Sequence, residues 1–129
     1  MKFRELIAGL CALMASPFLA IGAEGIRNVN VEEFAKLAEQ PDTVILDVRT
    51  AREFKAGHIK GAVNLDVNGA DFEKAVAGMD KTKTYLVHCA AGVRSVKACK
   101  KMGQLNFPKL VNLADGFTGW QRAGKPVEK

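Results

Sequence analysis

Thr84-Tyr85-Leu86-Val87-His88-Cys89-Ala90-Ala91-Gly92-Val93-Arg94-Ser95 is the stretch on which the fold turns. Its first five residues are mostly β-branched, aromatic or aliphatic and read as a central strand. Three small residues follow Cys89. A helix then begins, with Val96, Cys99, Met102 and Leu105 or Ala98 on its apolar face. A strand, a tight turn of small residues and a helix make the repeating unit of an α/β domain. Cys89 stands at the strand's carboxyl end, where open α/β sheets hold their ligands.

The same alternation extends in both directions. Upstream, Thr43-Val44-Ile45-Leu46-Asp47-Val48 is an almost unbroken apolar run, as expected of a strand buried on both faces of a parallel sheet. Before it, Asn30 with Glu33 forms a capping-box pattern. Val31, Phe34, Leu37 and Ala38 follow at helical spacing, until Pro41-Asp42 ends the helix. Ile26 to Val29 is a short apolar piece. After the strand, Thr50 and Glu53 repeat the capping box for a brief helix closed by Gly57, and Ala62 to Leu65 is a candidate strand. Asp71 to Met79 reads as a helix. Downstream, Asn106 takes the left-handed position after the long helix. Leu110 to Leu113 is a last strand, and Asp115-Gly116 opens a short helix carrying Phe117 and Trp120. Strands alternating with helices predict a mainly parallel sheet. No internal repeat or low-complexity segment interrupts it.

The loop after the central strand is where chemistry is expected. A cysteine at a helix N-terminus meets backbone N–H groups and the positive end of the helix dipole, both of which favour thiolate over thiol. Ala90, Ala91 and Gly92 have little bulk, so the backbone can curl with its amides inward as an anion-binding nest. Arg94 closes the loop with a fixed positive charge. Ser95 either caps the helix or offers a hydroxyl. The bland alternative is a buried structural cysteine at a strand end. The Gly-containing turn, the arginine five residues on and the helix behind it favour a nucleophile.

The chain has 129 residues, which suits one domain and is short for two. Its apolar fraction of 48% is enough to build a core. The net charge of +5 is spread along the chain without a basic block, which argues for small anions as partners and against nucleic acid. Lys2 and Arg4 precede an apolar run from Leu6 to Ile21, and Ile21-Gly22-Ala23 supplies small residues near a cut. This is the layout of a secretory signal. Residues 1–23 are expected to be cleaved near Ala23, with residues 24–129 left as one periplasmic domain without stable membrane association. The alternatives are cleavage after Gly22, or an uncleaved anchor, for which the run is short of the roughly 20 residues that span a bilayer. Leu10 before Cys11 is too large for a lipoprotein site. The mature chain keeps only Cys89 and Cys99, too few for a disulfide scaffold, and no Cys/His pattern indicates a metal.

The ordered segments ILDVRTAREFKAGHIKGAVNL, YLVHCAAGVRSVKACKKMGQLNF and LVNLADGFTGW closely resemble rhodanese-like domains, over about Val29 to Val127. Together with the export signal, they are similar to small periplasmic single-domain rhodaneses. The resemblance implies an α/β fold with a five-stranded, mainly parallel sheet flanked by helices on both faces. It also implies transfer of a sulfane sulfur from a donor such as thiosulfate to a thiophilic acceptor such as cyanide or a thiol. The carrier would be a persulfide on Cys89, and no cofactor is implied. The loop of Ala90, Ala91, Gly92, Val93, Arg94 and Ser95 would hold the transferred sulfur and the donor anion through its amides and guanidinium. A monomer is expected. Asn106 replaces a common Gly, and Gly103 weakens its helix by roughly 1 kcal/mol relative to Ala. The uncharged Ala90 and Ala91 leave the preference for thiosulfate open.

Other residues carry weaker expectations. Asp47 and Arg49 are read as an ion pair tying loops together, with anion steering by Arg49 as the alternative. His58 is expected to bond backbone near Gly57 and Gly61. His88 faces away from Cys89 along the strand. Cys99 should sit roughly 8 Å along the helix axis from the loop, at 1.5 Å per residue, buried and beyond disulfide reach. Trp120 and Phe117 are expected in core and rim. Two other function classes remain open: a Cys-based phosphatase or arsenate reductase, and a non-enzymatic sulfur carrier. Four residues separate Cys89 from Arg94, whereas phosphatase loops of this type have five.

Overall fold

The computed structural model describes residues 25–129, so the expected export segment, its cleavage point and Cys11 lie outside the described residues. The elements run β1 (Ile26–Val29), α1 (Val31–Ala38), β2 (Thr43–Asp47), α2 (Ala51–Ala56), β3 (His58–Ile59), β4 (Val63–Asn64), α3 (Phe72–Ala77), β5 (Thr84–His88), α4 (Arg94–Gln104), β6 (Leu110–Leu113), α5 (Gly116–Arg122) and β7 (Val127–Glu128). Five strands form one parallel sheet in the order β1-β6-β5-β2-β4. A separate antiparallel pair joins β3 to β7. Among the described residues no helix is long and apolar enough to cross a membrane.

β5 lies at the centre because both its faces are apolar. Tyr85 and Val87 point into a core shared with Val76, Ala98, Cys99 and Met102, under α3 and α4. Leu86 points the other way, into a core with Phe34, Leu113 and Trp120 under α1 and α5. The sheet is therefore covered on both faces, as the sequence pattern predicts. Full burial of Met102 stabilises the docking of α4 by roughly 1.5–3 kcal/mol, and α4 in turn holds the loop before it. Parallel register sets Thr43 beside Thr84 and Asp47 beside His88, so the ends of β2 and β5 open on the same side.

Local details depart from expectation where a tertiary partner intervenes. Asn30 does accept the Glu33 amide at 2.9 Å. The Glu33 carboxylate, however, turns to Arg27 instead of returning to the cap, so only half of that capping box forms. The box at Thr50 and Glu53 forms completely. The apolar piece at Ile26 is an edge strand beside β6. α3 is shorter than the sequence pattern indicates, at Phe72–Ala77, and the strand sought over Ala62 to Leu65 shrinks to two residues. Asn106 does adopt the left-handed conformation, with φ 72°.

Candidate active site

The loop after β5 curls around the Cys89 thiol. The Gly92 amide donates to Cys89 Sγ at 3.2 Å, and Ser95 Oγ lies 3.4 Å from the same sulfur. Burial pushes the Cys89 pKa up. The Ser95 hydroxyl and the backbone N–H groups of Ser95, Ala91 and Gly92 push it down and prevail, so the thiol ionises below its ordinary value. Ser95 thus serves the thiol directly and makes no side-chain cap on α4. Cys89 is only 1% exposed, while Val93 at the loop's apex is 77% exposed. Ala90 and Gly92 are half-buried and Ala91 is exposed.

The amides face inward because the loop's carbonyls are held outward. Cys89 O accepts from the Phe117 amide at 2.8 Å, and Ala90 O from the Thr118 amide at 3.1 Å. Both donors lie in the first turn of α5. Two glycines permit this approach. Gly92 has φ 93°, and a Cβ there would land on the Ala114 carbonyl oxygen. Gly116 has φ 63°, and a Cβ there would land on the Ala90 carbonyl. Neither conformation nor space allows a side chain. The clasp between the Cys89 loop and the start of α5 is not readable from either segment alone.

Asp47 and Arg49 form the buried ion pair expected of them. Arg49 Nη2 reaches Asp47 Oδ2 at 2.7 Å and Arg49 Nε reaches Oδ1 at 3.0 Å. The guanidinium also donates to Gly57 O at 2.7 Å and sits 4.2 Å over the Phe117 ring. Its donors are used to tie β2 to the turn after α2. His88 is fully buried, with Nδ1 3.0 Å from Cys89 O. A carbonyl only accepts, so Nδ1 carries the proton. Nε2 then faces Asp47 Oδ2 at 3.5 Å and has no hydrogen-bond partner. Burial holds the His88 pKa below its ordinary value, against the opposing pull of Asp47.

The partner expected for His58 is corrected. Its Nδ1 meets Phe54 O at 2.8 Å instead of backbone at Gly57 or Gly61, because the ring stacks on Phe54 with centroids 3.6 Å apart. Trp120 is core, its Nε1 donating to Pro126 O at 2.9 Å. Cys99 is fully buried, and burial with the nearby Cys89 charge pushes its pKa up to about 12. Both described cysteines are free thiols.

Glu53 is the residue that sequence reasoning missed in the site. Arg94 does not present an open cation to the loop: its Nη1 and Nη2 donate to Glu53 Oε1 at 2.7 Å and Oε2 at 3.0 Å. The Arg94 hydrogen bond drives the Glu53 pKa down to about 2 against partial burial, aided by the Thr50 amide and hydroxyl. The complete capping box in the sequence gave Glu53 a local role and concealed this one, 41 residues away. On the Glu53 side lies an open cleft of about 320 Å³, bordered by Arg49, Glu53, Ala90, Phe117, Thr118 and Gln121. Among the described residues no cluster of His, Cys, Asp and Glu is arranged to hold a metal ion.

Comparison with known proteins agrees with this geometry. A model of the rhodanese-like domain matches residues 30–123. A sulfurtransferase of Allochromatium vinosum is 28% identical over 71% of this chain and 84% of its own. The thiosulfate sulfurtransferase GlpE of Shewanella oneidensis is 27% identical over 75% of this chain and 94% of its own. The crystal structure of a rhodanese-related protein from Thermoplasma volcanium superposes with a TM-score of 0.69 at 25% identity, covering 79% of this chain and 97% of that one. With a parallel five-stranded sheet and a cysteine cradled by amides at its carboxyl edge, the chain belongs to the rhodanese-like domain family.

Proposed function

We propose that this protein is a sulfurtransferase that carries one sulfane sulfur as a persulfide on Cys89. The observation that carries the reading is the Cys89 sulfur itself, in contact with the Gly92 amide and the Ser95 hydroxyl. The Cys89 thiolate attacks the outer sulfur of a donor such as thiosulfate. A new S–S bond forms, the donor's S–S bond breaks, and its electron pair leaves on sulfite. Cyanide or a thiol then attacks the outer sulfur of the persulfide, giving thiocyanate or a new persulfide and restoring the thiolate. No acid–base residue is needed for the attack itself, because the attacking form is the thiolate, which the loop's donors favour. Inward amides stabilise the negative charge on sulfur throughout.

A phosphatase reading is disfavoured by the four-residue span from Cys89 to Arg94, which fits one sulfur better than a phosphoryl group. Thiosulfate or methanethiosulfonate with cyanide should yield thiocyanate, and p-nitrophenyl phosphate should stay intact. Phosphatase turnover without thiocyanate would contradict the reading. Export to the periplasm completes the proposal, on the strength of Lys2, Arg4, the apolar run and Ile21-Gly22-Ala23. N-terminal sequencing of a fractionated sample should find a start within a residue or two of Glu24. An intact Met1 in the membrane fraction would replace the signal with an anchor.

A further inference from the structure

We infer that Glu53 is a specificity-determining residue that neutralises Arg94 and so tunes the site to sulfane donors carrying a single negative charge in preference to dianionic thiosulfate. The inference rests on the sulfurtransferase reading and concerns which donors the site takes.

Two arginines border the Cys89 loop, and each already has a carboxylate. Arg49 is held by Asp47 in a buried pair. Arg94 is held by Glu53 through two parallel hydrogen bonds, the strongest geometry available to a guanidinium and carboxylate. Glu53 is itself fixed: its Oε1 also accepts from the Thr50 amide and hydroxyl, both at 3.0 Å. Swinging the carboxylate away would give up both bonds from Thr50, the reciprocal half of the α2 capping box. Asp66 adds a further negative charge felt at Arg94. Of the loop's own side chains, Ala90, Ala91 and Val93 carry no charge and Gly92 has none to offer. What remains to hold a donor is the set of amides, the Ser95 hydroxyl and the wall of the cleft, where Arg49 is already paired with Asp47 and Thr118 and Gln121 are uncharged. Amide dipoles suffice for one negative charge on sulfur. A second charge, on the sulfonate end of thiosulfate, meets a guanidinium whose field is largely cancelled by its partner.

Methanethiosulfonate is the matched probe. It replaces one sulfonate oxygen of thiosulfate with a methyl group and so removes one charge, while reacting in the same way: Cys89 gains the outer sulfur, the donor S–S bond breaks, and methanesulfinate leaves with the electron pair. The experiment measures kcat/KM for both donors, with cyanide as acceptor, in the wild type, Glu53→Gln and Arg94→Met. Wild type should favour methanethiosulfonate. Glu53→Gln keeps an acceptor for Thr50 and frees the Arg94 charge. It should raise the thiosulfate-to-methanethiosulfonate ratio by about fivefold to tenfold, the size of one unit charge acting over several ångströms at a protein surface. Arg94→Met leaves the carboxylate bare and should lower the ratio by a similar factor, so the inference does not depend on one variant folding. An unchanged ratio in both variants, or a wild type that favours thiosulfate, would overturn the inference and leave the sulfurtransferase reading standing. Failure of both donors to load sulfur in the wild type would overturn the sulfurtransferase reading, and the inference with it.

Discussion

The Phe117 amide nitrogen lies 2.8 Å from the carbonyl oxygen of Cys89, so the residue that carries the nucleophile is held by a helix that follows it by more than two dozen positions. The bond turns the Cys89 carbonyl away from the thiol and leaves the loop's amides facing it. Gly116 makes the approach possible. Gly116→Ala must place a methyl group on the Ala90 carbonyl at positive φ, at a cost of about 1–3 kcal/mol. The larger expected effect is chemical. With the clasp displaced, the Cys89 pKa should rise and sulfur loading at neutral pH should slow about tenfold or more. Denaturant melts and the pH dependence of thiol alkylation measure the two effects. A variant that is destabilised yet alkylates with the wild-type pH profile would show that the clasp serves stability alone.

Ser95 lowers the Cys89 pKa more than any other group. The reaction needs thiolate, so the rate of sulfur loading should rise with pH through an inflection below the ordinary thiol value and then level off. Ser95→Ala removes the hydroxyl and should move the inflection about one pH unit higher, the scale of one hydrogen bond to a charged group. An inflection that stays in place would assign the thiolate's stability to the backbone amides alone.

Cys99 makes the opposite contribution. Its pKa in the folded protein is about 12, above the unfolded value near 8.5. The stability it confers is complete below the unfolded value and is lost as pH rises from there toward 12. At about 1.4 kcal/mol per pH unit, the loss is on the order of 4 kcal/mol by pH 12. Cys99→Ala should cost about 1–2 kcal/mol at pH 7 through lost packing. It should also weaken the fold less between pH 8.5 and pH 11 than the wild type does, and keep most of its sulfur transfer. Urea titrations at three pH values test this. A well-folded variant with no sulfur transfer would make the two cysteines a working pair.

How much was legible depended on range. Thr84 to His88, the Thr50–Glu53 box and the left-handed Asn106 are settled within a few residues, and the sequence pattern places each where the structure has it. The Cys89 loop is legible for the same reason, since strand, small residues and helix are contiguous. What lay hidden joins distant segments. β3 and β7 are two residues each, and neither has a period to detect. Their pairing, His58 with Glu128 and Ile59 with Val127, is decided by the packing of everything between. The Arg94–Glu53 pair is hidden in another way, because each residue already had a sufficient local reading. The bond from His58 to Phe54 O is hidden too, because stacking on Phe54, which sets the ring's direction, leaves no trace in the spacing.

The central claim is that Cys89 alone takes up the sulfur. The most direct measurement is the mass of the protein after treatment with thiosulfate or methanethiosulfonate, then after cyanide, with peptide mapping of the loaded form and Cys89→Ser as control. The mass should rise by one sulfur atom located on the Cys89 peptide, return to its starting value with cyanide, and not change at all in Cys89→Ser. Sulfur found on Cys99, or a wild-type protein that gains none from either donor, would contradict the account.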